Sequence, residues 1–230
     1  MKGVAIIPAR AGSKRIPKKN IKLFNGKPMI HFALKVALDS KVFDRIIVTS
    51  DSEEILSTTR EISNEIETYE RSKKLSDDFT GTLPVINDVI DNLQIQNSHD
   101  FTCCLYSCVP LLDKKRLIEG CDLLKNNPTK YILPIKKFES SIYRSFSLDS
   151  KKFIDMNFSS NQLSRTQDLK DSYYDAGQFY FGRNELWQSK TNLHSCSLGI
   201  ELSKYECIDI DELEDWTFAE KLFQLKNHAR

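Results

Sequence analysis

Apolar positions along this 230-residue chain follow two alternating rhythms. Residues 3–8, 45–50 and 100–107 are short apolar runs that predict buried strands. Between them, residues 29–38 and 53–62 carry apolar side chains at helical spacing. Leu83, Ile86, Ile90 and Leu93 mark a further helix, entered through the turn-like Asp78-Phe79-Thr80-Gly81. Residues 113–126 predict another helix, ending before Pro128, and residues 130–136 return as a strand. Such alternation builds βαβ units, so the pattern predicts an α/β fold with a largely parallel sheet covered on both faces.

The rhythm fails across residues 137–171, which are rich in Ser, Lys and Asp and alternate every second residue at Ser141-Ile142-Tyr143-Arg144-Ser145-Phe146. This stretch reads as an inserted β-hairpin arm, a device that serves subunit contact or closes over a site. The main fold resumes at residues 173–181, and residues 211–225 form the last helix. With no internal repeat or low-complexity linker, residues 1–230 are expected to form one domain with an insertion at about 137–171.

Composition narrows the class. At 40% hydrophobic and 28% charged, the chain has the make-up of a soluble globular protein, and no apolar run approaches a membrane span of roughly 18–20 residues. Ala9-Arg10-Ala11 mimics a signal-peptide cleavage site, but the apolar stretch before it is too short and Pro8 interrupts it, so secretion is not expected. Six cysteines form no CxxC pair, a pattern of reduced, buried thiols in a cytoplasmic protein. The four histidines are scattered, so a bound metal is expected to be a hard cation held by oxygens.

Charge is uneven. Residues 1–38 hold nine of the 33 Lys and Arg residues and none of the 32 Asp and Glu. Without interleaved aromatics or a lysine-rich tail, this points to a compact phosphate site rather than to nucleic acid. The richest stretch is IIPARAGSKRIPKKN at residues 6–20. A strand ends at Pro8, and Ala9, Ala11, Gly12 and Ser13 follow among cations. Small residues let backbone N–H groups approach an anion, while Arg and Lys add charge-assisted hydrogen bonds. It is neither a Walker A loop nor a GxGxxG fingerprint. It reads as a phosphate loop at the carboxyl end of a first strand, where open α/β sheets bind ligands; an exposed basic surface loop is the alternative.

A second segment, YECIDID at residues 205–211, reads as a strand with Ile208 and Ile210 on one face and Asp209 and Asp211 on the other. Two carboxylates about 7 Å apart could hold Mg²⁺. Asp211 could equally be the N-cap of the helix that follows.

Together these two elements resemble the cytidylyltransferases that activate eight- and nine-carbon sugar acids, the sialic acid and KDO activating family. Its opening (I/L)xARxxSKxxPxKN loop is matched by Ile7, Ala9, Arg10, Ser13, Lys14, Pro17, Lys19 and Asn20, and its closing IDID-type segment by residues 208–211. Between them, Arg71-Ser72 stands for an Arg-Pro step, and Leu75-Ser76-Asp77-Asp78 with Thr80-Gly81-Thr82 for an Asp-rich turn entering a helix. The resemblance spans residues 4 to about 220. It implies a Rossmann-like, three-layer nucleotide-diphospho-sugar transferase fold with a mixed, largely parallel sheet and a dimerisation arm. A narrower resemblance, carried by Cys103-Cys104-Leu105-Tyr106, Arg165-Thr166-Gln167-Asp168-Leu169 and Asp175-Ala176-Gly177-Gln178-Phe179-Tyr180, is to the members that use pseudaminic acid. Tyr106 stands where sialic acid enzymes place a sugar-contacting Gln, and Leu112 where they place an Arg.

The resemblance implies CTP and a nonulosonic sugar acid as substrates, Mg²⁺ as cofactor and a homodimer. It assigns Lys19, Arg10, Asp209 and Asp211 to catalysis, the two aspartates as metal ligands. Ala9, Arg10, Gly12, Ser13, Lys19, Asn20, Arg71 and Thr82 would hold the nucleotide. Tyr106, Arg144, Arg165, Asp175, Gly177 and Gln178 would meet the sugar, Arg144 from the arm. From the residues alone, Tyr106 and Cys108 could also be core, Gly177 could serve only a close strand approach, and Phe179 and Phe181 are expected in the core. Activity on sialic or legionaminic acid, or a catalytically silent nucleotide-binding regulator, are the alternative functions.

Overall fold

The structure, a computed structural model, describes residues 1–228. Strand β1 (Gly3–Pro8) is followed by a short hairpin of β2 (Leu23–Phe24) and β3 (Lys27–Pro28). Asn25 and Gly26 both take positive φ at its tip, the geometry that tight hairpins favour. Helix α1 (Ile30–Ser40), β4 (Arg45–Ser50), α2 (Glu53–Ile62), β5 (Glu67–Glu70), α3 (Thr82–Asn92) and β6 (Phe101–Leu105) continue the βα alternation. Then come α4 (Lys114–Asn126), β7 (Tyr131–Lys137), the pair β8 (Phe146–Leu148) and β9 (Ile154–Met156), β10 (Tyr173–Asp175), β11 (Phe179–Arg183), α5 (Asn184–Gln188), β12 (Ser197–Leu202) and α6 (Leu213–His228).

Eight strands form the main sheet. β5, β4, β1 and β6 run parallel, with Ile6 beside Ile47 and Ala5 beside Cys103. β11 is antiparallel to β6 and β7 and shares one edge of β7 with β10, while β12 pairs parallel along the other edge. Helices cover both faces, and β1 shows why. Ala5 and Ile7 join the core packed by α1, α2 and α4, whereas Val4 and Ile6 join the core packed by α3 and α5. A third, smaller core gathers Ile16, Phe24, Met29, Ile210, Trp216 and Ala219, so α6 closes beneath the basic loop. The three-layer, mostly parallel α/β expectation is met, and β8 and β9 pair only with each other, in the stretch read as an arm.

Two strand expectations are corrected. Residues 205–211 run outside any strand. The chain turns at Ser203, whose N–H donates to the Glu206 carboxylate at 2.8 Å, and Ile208 and Ile210 then pack into the third core. The strand of this region is β12 instead, where a Cβ on Gly199 would press on the end of the Ile135 side chain at 2.5 Å. Residues 173–181 are not continuous either. Gly177, at φ +60, breaks them into β10 and β11; a Cβ there would meet nothing within 4 Å, so it serves a turn and not a close approach. Phe179 and Phe181 are fully buried, as expected.

Candidate active site

The carboxyl ends of β1 and β6, the segment after β5, the start of α3, the β10–β11 break and residues 209–211 line one cleft of about 800 Å³. Its position follows from the parallel strands, whose carboxyl ends leave a crevice for ligand.

The basic loop is pinned at three backbone points. Ala9 N–H donates to the Thr49 carbonyl at 2.9 Å, Ala11 N–H to Asp51 at 2.9 Å, and the Arg10 carbonyl accepts from the Asn20 amide at 2.9 Å. Asn20 also accepts the Ser107 hydroxyl at 2.6 Å, tying the loop to the segment after β6. Ala9, expected at the nucleotide, is buried with its N–H committed to Thr49 and does not line the cleft. Gly12, Ser13 and Lys19 line the cleft, and space around Gly12 is open.

The loop's cations already hold anions. Arg10 reaches Asp78 at 2.7 Å and the Asp77 carbonyl at 3.0 Å, and Lys14 bonds the other oxygen of Asp78. These two cations hold the Asp78 carboxyl below the ordinary range, Lys14 contributing most. Arg15 meets Asp211 at 2.8 Å, and Lys19 donates to the Ile210 carbonyl at 2.6 Å with Asp211 at 3.7 Å. Arg71 is buried; one nitrogen donates to the Thr49 carbonyl at 2.7 Å, its Nε has no partner, and burial lowers its pKa. A buried guanidinium with spare donors on a cleft wall suits an incoming anion or polar base edge.

Asp209 and Asp211 sit together as expected, on the cleft rim next to Lys19. Asp211 does not cap α6: its carboxylate faces Arg15, and the Asp215 carboxylate caps instead, accepting the Asp211 and Glu212 N–H groups at 3.1 and 2.8 Å. Partial burial, then the Asp211 charge, raises the Asp209 carboxyl above the ordinary range, and Asp209 makes no hydrogen bond or ion pair with the described residues. Among the described residues no group of three or more His, Cys, Asp or Glu could hold a metal. The hard oxygen donors that could hold Mg²⁺ here would be the two carboxylates of Asp209 and Asp211.

The other end of the cleft is uncharged or acidic. Tyr106 and Thr82 share a hydrogen bond at 2.7 Å, and burial pushes the Tyr106 phenol up to about 12. Asp175 accepts Tyr180 OH at 2.6 Å, Gly177 N–H at 2.8 Å and His194 Nε2–H at 2.8 Å. Burial, followed by the Tyr106 and Asp175 neighbours, raises the Tyr180 phenol. Gln178 does not join the cleft: it is buried, and its amide donates to the Glu206 carbonyl at 3.0 Å. Arg144 bonds the Gln162 carbonyl at 3.1 Å and Arg165 pairs with Asp168 at 2.7 Å, both within the arm region and off the cleft of their own chain. Leu112 belongs to the core, and Cys108 lies on the cleft wall, its thiol raised by burial.

Sequence reasoning missed Asp78, Tyr180 and His194. Asp78 was visible in the Asp-rich turn, and Tyr180 alternates with two core phenylalanines and so had to face the opposite side. No local pattern marks His194, which arrives from the loop before β12.

The cytidylyltransferase family pattern matches residues 4–226. Over 231 aligned residues the chain is 37% identical to a pseudaminic acid cytidylyltransferase of Campylobacter jejuni serotype O:2, covering 100% of this chain and 99% of that protein. It is 28% identical to N-acylneuraminate cytidylyltransferase B of Danio rerio, across 94% of this chain and 50% of that protein. Its fold superposes with a TM-score of 0.74, at 13% identity, on CMP:2-keto-3-deoxy-manno-octonic acid synthetase solved with CTP, covering 98% and 100% of the two chains. With the basic loop, the aspartate pair and the strand-end cleft assembled as described, the chain belongs to the cytidylyltransferase family and is a nucleotidyltransferase.

Proposed function

We propose that the protein catalyses CTP + pseudaminic acid → CMP-pseudaminic acid + pyrophosphate. The observation that carries this reading is the polarity of this cleft. Arg10, Lys14 and Lys19 gather at the end of β1, while Tyr106, Asp175 and Tyr180 stand at β6, β10 and β11. Two strand spacings, about 10 Å, separate β1 from β11, room for a triphosphate at one end and a sugar acid at the other. The full-length 37% identity to a pseudaminic acid enzyme supports the choice of sugar.

The anomeric hydroxyl oxygen bonds to the α-phosphorus as the bond to the β-phosphate bridging oxygen breaks, pyrophosphate carries off the electron pair, and the hydroxyl proton passes to water. Positioning and charge neutralisation do most of this work. Arg10 and Lys14 release Asp78 and take phosphate oxygens; Lys19, held by the Ile210 carbonyl, faces the same charge. Arg71, Asn20 and Thr82 shape the nucleotide's surroundings. Asp209 and Asp211 would hold Mg²⁺, which when bound supplies a Lewis acid that neutralises phosphate charge and acidifies the attacking hydroxyl.

The arm exposes Phe146, Leu148, Phe153, Ile154 and Leu163, an apolar surface suited to a second copy of the chain. In such a homodimer Arg144 and Arg165 would be brought toward the partner's cleft. Six free cysteines, four of them buried, suit the reducing cytoplasm. The test is pyrophosphate release with CTP and a panel of pseudaminic, sialic, legionaminic and KDO substrates. Preferential turnover of pseudaminic acid supports the proposal; preference for another acid reassigns the sugar; no release with any of them overturns it.

A further inference from the structure

Asp175 is fastened from three directions. Gly177, at positive φ, brings its N–H to Oδ1, while Oδ2 receives Tyr180 OH and His194 Nε2–H. A carboxylate offers about four acceptor positions, so these three bonds leave one. The side chain is 24% exposed and lines the cleft, so that last position opens toward the ligand. The tyrosine wall continues from it: Tyr180 packs edge-on against Tyr106, centroids 5.6 Å apart, and Tyr106 reaches Thr82. His194 stands behind Asp175, outside the cleft lining, with its own side chain 62% exposed. Among the described residues its ring makes one hydrogen bond, to Asp175.

We infer that His194 is a positioning residue for the acceptor, fixing Asp175 so that its free carboxylate position accepts a hydrogen bond from a hydroxyl or acylamino N–H of the sugar acid. The inference rests on the proposed sugar-acid substrate. The Asp175 carboxylate at this end repels the acid's own carboxylate and any phosphate, so it also sets the sugar's direction: donors toward Asp175, anionic groups toward the β1 cations. Without His194, Tyr180 and Gly177 still hold Asp175, but Oδ2 loses one of two donors and the carboxylate gains a rotational freedom that the sugar must then remove.

The experiment compares wild type, His194→Ala, His194→Gln, Asp175→Asn and the double variant H194A/D175N in pyrophosphate release, varying each substrate while the other saturates. The acid used is the one the wild type prefers. His194→Ala is expected to raise KM for the sugar acid about three- to tenfold, the range of one hydrogen bond, while KM for CTP and kcat change less than twofold. His194→Gln restores the sugar KM, because its amide N–H donates from a similar place. Asp175→Asn raises the sugar KM more, and adding His194→Ala to it costs little further, since both act through one carboxylate. Melting temperatures of the His194 variants should stay within about 2 °C of wild type, as for other exposed positions. An unchanged sugar KM in His194→Ala, an equal rise in both KM values, or failure of Gln to restore it overturns the inference while the functional reading stands. A wild type that releases no pyrophosphate with any sugar acid overturns both.

Discussion

Replacing Asn20 by alanine tests what holds the basic loop in place. One side-chain amide joins two strand ends: its N–H donates to the Arg10 carbonyl at 2.9 Å, and its oxygen accepts the Ser107 hydroxyl at 2.6 Å. Asn20 is 7% exposed and Ser107 is equally buried, so water does not readily replace either bond. Two net hydrogen bonds are worth about 1–3 kcal/mol together, and a buried hydroxyl left short of its acceptor adds about 1 kcal/mol or more. Asn20→Ala should therefore lose about 2–4 kcal/mol. For a chain of this length each kcal/mol moves Tm by about 2–4 °C, so thermal unfolding should shift down by about 5–15 °C. Because Arg10 projects from the residue that Asn20 anchors, kcat/KM for CTP, measured well below that transition, should fall at least about tenfold. Asn20→Asp keeps the acceptor for Ser107 but sets a carboxylate against the Arg10 carbonyl, so it should be no milder than alanine. Ser107→Ala removes only one bond, and a double-mutant cycle of the two isolates their coupling. An Asn20→Ala enzyme that loses activity with an unmoved Tm would refute this reasoning and make Asn20 a direct nucleotide contact; one that changes neither would dismiss the tie altogether.

Lys19→Ala should lower kcat/KM by about one to two decades, the value of one charged hydrogen bond, with a small fall in Tm as the Ile210 carbonyl loses its donor; near-normal kinetics would return the loop to a solvated surface. Asp211→Asn and Asp209→Asn should each cripple Mg²⁺-dependent turnover with far from additive losses, and wild-type activity that survives EDTA would end the metal proposal. Because burial and then the Asp211 charge raise the Asp209 carboxyl, Mg²⁺ must displace its proton, so the Mg²⁺ concentration for half-maximal turnover should climb as pH falls. The stability sign is opposite: the fold favours neutral Asp209, so its contribution is present at low pH and fades as pH rises through its folded pKa. The proposed dimer predicts a wild-type mass by light scattering of twice the chain, halved by Leu148→Asp with Ile154→Asp on the exposed β8–β9 hairpin; a wild type that is already monomeric would overturn it, and a variant that stays dimeric would place the interface elsewhere.

The layers were legible because β1, β4 and β6 are buried on both faces and therefore carry apolar runs that no surface pattern interrupts. β12 keeps an intact alternation of Leu198, Ile200 and Leu202, but the glycine between them weakens a run this short as a strand signal. Residues 205–211 carried a strand-like alternation, yet Ile208 and Ile210 answer to α6 and the basic loop, which sequence spacing cannot reveal. The cationic half of the site is local, concentrated in residues 10–19, and was readable from side-chain type alone. The acidic half is assembled from four separated segments. Asp175 and Tyr106 could be reached only through resemblance, and His194 through neither route, since its contact spans 19 residues across two elements.

Asp78 gives the basic loop a property that a bare cluster of lysines and arginines lacks. Arg10 and Lys14 hold a tethered carboxylate before any ligand arrives, so a phosphate entering here exchanges with an anion whose local concentration the chain itself fixes. Counterions from the buffer have a smaller part in that exchange than they would at unpaired cations. Nucleotide affinity should therefore decline less steeply with ionic strength than the number of positive charges around the cleft suggests. The same carboxylate is at hand when pyrophosphate loosens, recapturing the cations and making rebinding of the product less favourable, so the tether biases the cycle toward release.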